Sequence, residues 1–249
     1  PMAFTGFGGP RLRGQEPQSG EDMTNDSHTV LVFPGFGAGD LSTFPIRRYL
    51  RARGFNPATW KLGANRGDVA ALIPRVTKRA EEVSRQSQRE RISIVGWSLG
   101  GVLAREVARD RPDLVRSVVT MGSPIRGPRY TAARSFYENI LRQDLGEIER
   151  LIEERDQIPI HTPVSALYSR RDRVVQWESC IDRWHAHVKH IEVDSSHLGL
   201  GFDPRILRIV ADEVQAAEAF ADHQIHHRDH FLHAAKPTAS SLSQPGSSC

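Results

Sequence analysis

The sequence predicts an α/β fold, a mostly parallel sheet flanked by helices with a small helical cap inserted. From about residue 28 to residue 220, short apolar β-prone runs alternate with helical patterns, the signature of βαβ units. In residues 92–101, ISIVGWSLGG, four β-prone residues run into Gly-x-Ser-x-Gly, and the helix-like VLAREVARD follows at once. A strand therefore hands over to a helix without a spacer. At 249 residues and 39% hydrophobic content, the chain can bury one substantial core, so a single large domain is expected.

The elements follow in order. Residues 1–26 are rich in Gly, Pro, Gln and acidic groups without a hydrophobic period, a composition expected to stay disordered, with Met23 as a candidate start. The main domain spans 27–222. Its strands are expected at His28–Phe33, Pro57–Leu62, Arg91–Val95, Arg116–Met121, Pro163–Tyr168 and His190–Val193, and its helices near 42–53, 67–88, 99–110 and 204–220. The crossover Gly122–Pro163 is far longer than usual connections and holds one or two helices within 128–156; it reads as the cap, about 125–160. Residues 223–249 form a polar tail, expected to be disordered, in which the histidines of HQIHHRDHFLH are solvated.

Composition removes several function classes. Lys+Arg 33 against Asp+Glu 30 gives a net charge of +3, a mixed surface that does not call for nucleic acid. No stretch has the length and apolarity of a membrane span, and no basic segment followed by an apolar run opens the sequence. Two cysteines, Cys180 and Cys249, make no disulfide framework and suit a reducing compartment. A cytoplasmic protein is expected, with secretion left open. No metal-ligand spacing stands out, so neither metal nor organic cofactor is expected.

The serine carries the chemistry. A strand can turn directly into a helix only through a strained corner residue with small neighbours, and Gly96 and Gly100 supply that clearance. Ser98 is then thrust out at a helix N-terminus, where peptide dipoles favour an oxyanion. Serine needs a histidine base, and the base needs a carboxylate. His197, in SSHLGL after the last strand, lies at a strand's carboxyl end, where open α/β sheets place their sites. For the acid, Asp172 follows PVSALYS in the same way; Asp156 and Asp182 are weaker competitors and Asp194 is the serious rival. Backbone N–H donors are expected from Leu99 and, in the turn FPGFGAGD after the first strand, from Phe36. No Gly-Lys-Ser/Thr follows that turn, so a phosphate loop is not expected.

The segments VLVFPGFGAGD, GWSLGG, MGSP, YSRRDRVVQWESC and SSHLGLGFDP occur in that order, and together they resemble the lipase-like and esterase-like α/β-hydrolases over most of 28–220. The resemblance implies the α/β-hydrolase fold and a serine hydrolase of carboxylic esters. Ser98, Asp172 and His197 would form its triad, and Phe36 and Leu99 its oxyanion hole. One or two leading strands of the larger family members are absent, as in compact lipases. Trp97 stands where many lipases carry His, a choice found in smaller esterases and carbon–carbon hydrolases, so esterase and lipase both stay open.

Within 134–152, apolar residues recur at helical steps, which predicts an amphipathic helix covering either core or an acyl pocket. The candidate substrate-binding residues are Trp97, Phe136, Ile140 and Leu141, and the expected partner is a small-molecule or lipid-like ester. Trp177 and Cys180 are expected to pack beneath the acid loop. The alternatives are a thioesterase, lactonase or acyltransferase with the same triad, and a non-catalytic hydrolase-fold protein that binds a lipid or partner.

Overall fold

A computed structural model describes residues 27–87, 91–132, 134, 144–185 and 188–217. The expectations for 1–26, for the tail 223–249, and for Phe136, Ile140 and Leu141 lie outside the described residues.

Six strands form one sheet: β1 Thr29–Phe33, β2 Asn56–Thr59, β3 Ile92–Trp97, β4 Val115–Met121, β5 Val164–Tyr168 and β6 Val188–Glu192. Their order is β2-β1-β3-β4-β5-β6, and every pairing is parallel. A parallel sheet must be covered on both faces, and β1, β3 and β4 are buried along their whole length. Alternating residues serve the two faces. Leu31, Phe33, Ile92 and Ile94 meet α2 (Val69–Gln86) and α3 (Leu99–Asp110), where Leu72, Val76, Leu103 and Val107 are buried. Val30, Val32, Val95 and Trp97 meet α1 (Phe44–Ala52) and α6 (204–217) on the other face, where Ile46, Leu50, Val210 and Val214 are buried. Each such aliphatic side chain contributes about 1.5–3 kcal/mol of burial.

Helix starts follow local chemistry. The Asp68 carboxylate accepts the Ala71 N–H at 3.0 Å and opens α2, satisfying one of the donors a helix N-terminus leaves unpaired. The described part of the crossover holds a 3-10 turn, Pro128–Tyr130, and α4, Leu145–Asp156. The continuous helix read over 134–152 is corrected here: Asp144 is extended, with φ −75° and ψ 111°, and its carboxylate caps Gly146, so α4 starts afresh at Leu145. A second 3-10 turn, Trp177–Cys180, precedes β6, and the four-residue α5, Gly199–Phe202, follows it. Among the described residues, no helix is long and apolar enough to cross a membrane.

Candidate active site

β3 ends and α3 begins on either side of Ser98, whose backbone sits at φ 55° and ψ −124°. A non-glycine residue in that region costs on the order of 1–3 kcal/mol and persists only where its surroundings fix it. The fixing is visible. Ser98 N–H donates to Met121 O at 2.8 Å. A Cβ on Gly96 would collide with the backbone of Gly100 and Gly101, and one on Gly100 with the Phe33 carbonyl. Both glycines of Gly-x-Ser-x-Gly are thus required by close packing of strand, helix and the end of β1.

The turn after β1 lies against the same serine. A Cβ on Gly35 would stand 3.2 Å from Ser98 Cβ and 3.8 Å from its Oγ. Phe36 follows in this turn, and Leu99 follows the serine. The turn is pinned by Asn65, which is fully buried. Its Nδ2 donates to Pro34 O at 3.0 Å, its O accepts Gly37 N–H at 2.7 Å, and its N–H donates to Ala38 O at 2.8 Å. Sequence reading missed Asn65, because its partners are some thirty residues away and ANRG carries no local signature.

Asp172 and His197 come together from the ends of β5 and β6. His197 Nδ1 is 2.6 Å from Asp172 Oδ2, with 9% and 2% of the two side chains exposed. Asp172 Oδ1 accepts the N–H groups of Val174 at 2.8 Å and Val175 at 2.9 Å, so both carboxylate oxygens are engaged without a cation among the described residues. Two further residues hold this pair. Ser169 Oγ donates to Ser195 O at 2.7 Å and accepts Arg171 N–H at 3.1 Å, tying the aspartate loop to the histidine loop. Gly122, at φ 57°, leaves room where a Cβ would stand 3.1 Å from Asp172 Oδ2 and 3.2 Å from His197 Nδ1. The glycine of MGSP carried that signal; Ser169 carried none.

The rival acids are placed elsewhere. Asp194 is exposed and pairs with Arg171 at 3.0 Å. Asp156 pairs with Arg109 at 2.9 Å, and Asp182 with Arg105 and His185. Cys180 is buried, and desolvation together with the nearby Asp172 charge pushes its thiol up to about 12, which keeps it protonated and a poor nucleophile. Trp177 stacks on Tyr168 under the Arg170 guanidinium.

Ser98, Trp97, Leu99, Phe36 and His197 all line one cavity of about 1110 Å³. Trp97 is nonetheless mostly a packing residue. It is 6% exposed, its Nε1–H donates to His197 O at 3.2 Å, and its ring meets Phe202 edge-on. The walls are largely apolar: Val69 and Ile73 from α2, Val102 from α3, Ile148, Leu151 and Ile152 from α4, and Leu198 and Phe202 at an exposed rim. Such a concave, mostly apolar site with a few convergent polar groups is the ordinary form of a small-molecule site.

A family model described as the alpha/beta hydrolase fold matches residues 75–159. Among solved structures, the chain is similar to a Bacillus licheniformis lipase in its mature form, with a TM-score of 0.63 and 14% identity over 80% of this chain and 96% of that one. It is also similar to a Pyrococcus furiosus esterase, with a TM-score of 0.59 and 17% identity over 77% and 84%. A thioesterase domain from the curacin biosynthetic pathway matches with a TM-score of 0.54 and 13% identity over 77% and 92%. At these identities the likeness is one of fold.

Proposed function

We propose that this chain, which has the α/β-hydrolase fold, is a serine hydrolase that cleaves carboxylic esters through an acyl-enzyme on Ser98. The observation that carries the reading is the 2.6 Å contact of His197 Nδ1 with Asp172, beside a cavity that His197 shares with a strained, helix-starting serine. An ionised Asp172 can only accept, which places the ring hydrogen on Nδ1 and leaves Nε2 as the basic nitrogen.

Ser98 Oγ attacks the acyl carbon as its proton passes to His197 Nε2. The carbonyl oxygen becomes an oxyanion facing the N–H groups of Phe36 and Leu99. Collapse breaks the bond to the alcohol oxygen, which leaves with the proton from His197. Water then attacks the acyl carbon and gives its proton to His197, which passes it to Ser98 Oγ as the bond from Oγ to the acyl carbon breaks, releasing the carboxylic acid and free Ser98. Asp172 fixes the ring and stabilises the imidazolium in both halves. α4 acts as part of the cap, and the apolar walls favour lipid-like or other small esters over highly charged ones. A free, buried Cys180 suits the cytoplasm as the working location.

Hydrolysis of p-nitrophenyl esters from acetate to palmitate tests this. Wild type should turn over at least part of the series, and Ser98→Ala and His197→Ala should each lose roughly four powers of ten or more, as members of such a unit do. Absence of turnover on every ester contradicts ester chemistry. The thioesterase reading draws on the likeness to a thioesterase domain, and acyl thioesters run beside the oxygen esters separate the two.

A further inference from the structure

The strands that carry the serine and the histidine are not neighbours. β4 and β5 lie between β3 and β6 in the sheet, so the two strand ends are three strand spacings apart, about 14 Å, and no shared ladder fixes one against the other. Ser98 and His197 nonetheless line one cavity, so the loop after β6 reaches back over the ends of β5 and β4. Asp172, which follows β5, holds the His197 ring at Nδ1. That contact sets the tautomer; it does not hold the backbone from which the ring hangs.

Trp97 spans the gap. It is the last residue of β3, directly before Ser98, and its Nε1–H donates to the His197 carbonyl at 3.2 Å. The indole is confined on its other sides as well. Its ring lies 6.1 Å from the imidazole with the planes 34° apart, and 5.8 Å from the Phe202 ring, which it meets edge-on. Gly201 backs the same ring, since a Cβ there would stand 3.1 Å from its Cε3 and Cζ3. Trp97 is buried, and a buried indole N–H needs an acceptor. The bond to His197 O therefore satisfies the donor and ties the histidine loop to the serine turn in one contact.

We infer that Trp97 is a positioning residue for the base: its indole fixes the backbone of His197 against the serine turn, so that Nε2 is kept within reach of Ser98 Oγ while Asp172 fixes the ring hydrogen. This rests on the reading of His197 as the base that serves Ser98. It gives the residue before the serine a part in proton transfer rather than in gripping the acyl chain. Proton transfer needs the two heavy atoms within about 2.6–3.2 Å, and a misplacement of about 1 Å costs on the order of a hundredfold. A phenyl ring in place of the indole keeps most of the packing and removes the donor, so its cost in kcat should be smaller, about tenfold.

A double-mutant cycle separates positioning from general support of the fold. Trp97→Phe should lower kcat on p-nitrophenyl esters about tenfold, by the same factor from acetate to octanoate and with KM within about twofold of wild type. In a His197→Ala background the same substitution should change the residual rate by less than about twofold, because no base is left to misplace. An equal loss in both backgrounds, an unchanged kcat in Trp97→Phe alone, or a rise in KM that grows with chain length overturns the inference and leaves the hydrolase reading intact. A wild type that turns over no ester overturns both. Gly201→Ala supplies a second variant should Trp97→Phe not fold, since Gly201 crowds the indole without lining the cavity. It should lower kcat by a smaller factor when His197 is present and leave the His197→Ala rate unchanged; an equal loss in the two backgrounds overturns the inference.

Discussion

The described residues hold two buried aspartate–histidine pairs, and they differ in what else touches the carboxylate. Asp172 and His197 meet at 2.6 Å, Asp182 and His185 at 2.9 Å, and all four side chains are at least nine-tenths buried. Asp172 is completed by two backbone N–H groups, whereas Asp182 is completed by the Arg105 guanidinium and the N–H groups of Trp184 and His185. Burial pushes the Asp182 carboxyl up, but Arg105 and these donors outweigh it and hold it down to about 2. Distance and burial therefore do not mark a working pair. A cation beside the carboxylate takes up the charge that would otherwise stabilise an imidazolium, and only the pair without one opens on the cavity of Ser98.

The sharpest way to break this contrast is to neutralise each aspartate. Asp172→Asn should lower kcat on p-nitrophenyl esters by about three to four powers of ten, because it leaves the imidazole in the wrong tautomer, while its urea midpoint moves little. Asp182→Asn should instead lose about 3–5 kcal/mol in urea unfolding by leaving Arg105 buried without its counter-charge. Equal effects on both readouts would erase the distinction.

Acid sharpens it further. The Asp182 carboxyl lies below its ordinary value of 3.8, so its contribution is present above about pH 4 and is lost as pH falls toward 2. The shift is worth about 2 kcal/mol. Urea midpoints measured from pH 6 to pH 2 should fall less steeply in Asp182→Asn than in wild type. The smallest effect concerns Ser169, which bridges the aspartate and histidine loops. Ser169→Ala should lower kcat by about tenfold and stability by about 1–2 kcal/mol, with KM nearly unchanged; a change in KM alone would mean the bridge does not set the geometry of the pair.

Most of the fold was legible in the sequence because the sheet is parallel and buried. Runs such as TVLVF and VRSVVTM read as strands on apolarity alone, and the helix 99–110 was marked at its start by the serine turn. Ser98, Asp172 and His197 could be placed at strand ends for the same reason. The grip on them was not legible. Asn65 and Ser169 act through backbone atoms far away in sequence, and such bonds leave no periodicity. The break at Asp144 was also invisible, since apolar spacing continues through it while a single capping carboxylate decides where α4 begins.

The most direct measurement is intact-protein mass after exposure to a fluorophosphonate, followed by peptide mapping. Ser98 Oγ should bond to phosphorus with loss of fluoride, giving one adduct on Ser98. Labelling should be abolished in Ser98→Ala and slowed by orders of magnitude in His197→Ala and Asp172→Asn. An unlabelled wild type, an adduct on another residue, or labelling of Asp172→Asn at the wild-type rate would contradict the assignment of Ser98, His197 and Asp172 as one nucleophilic unit.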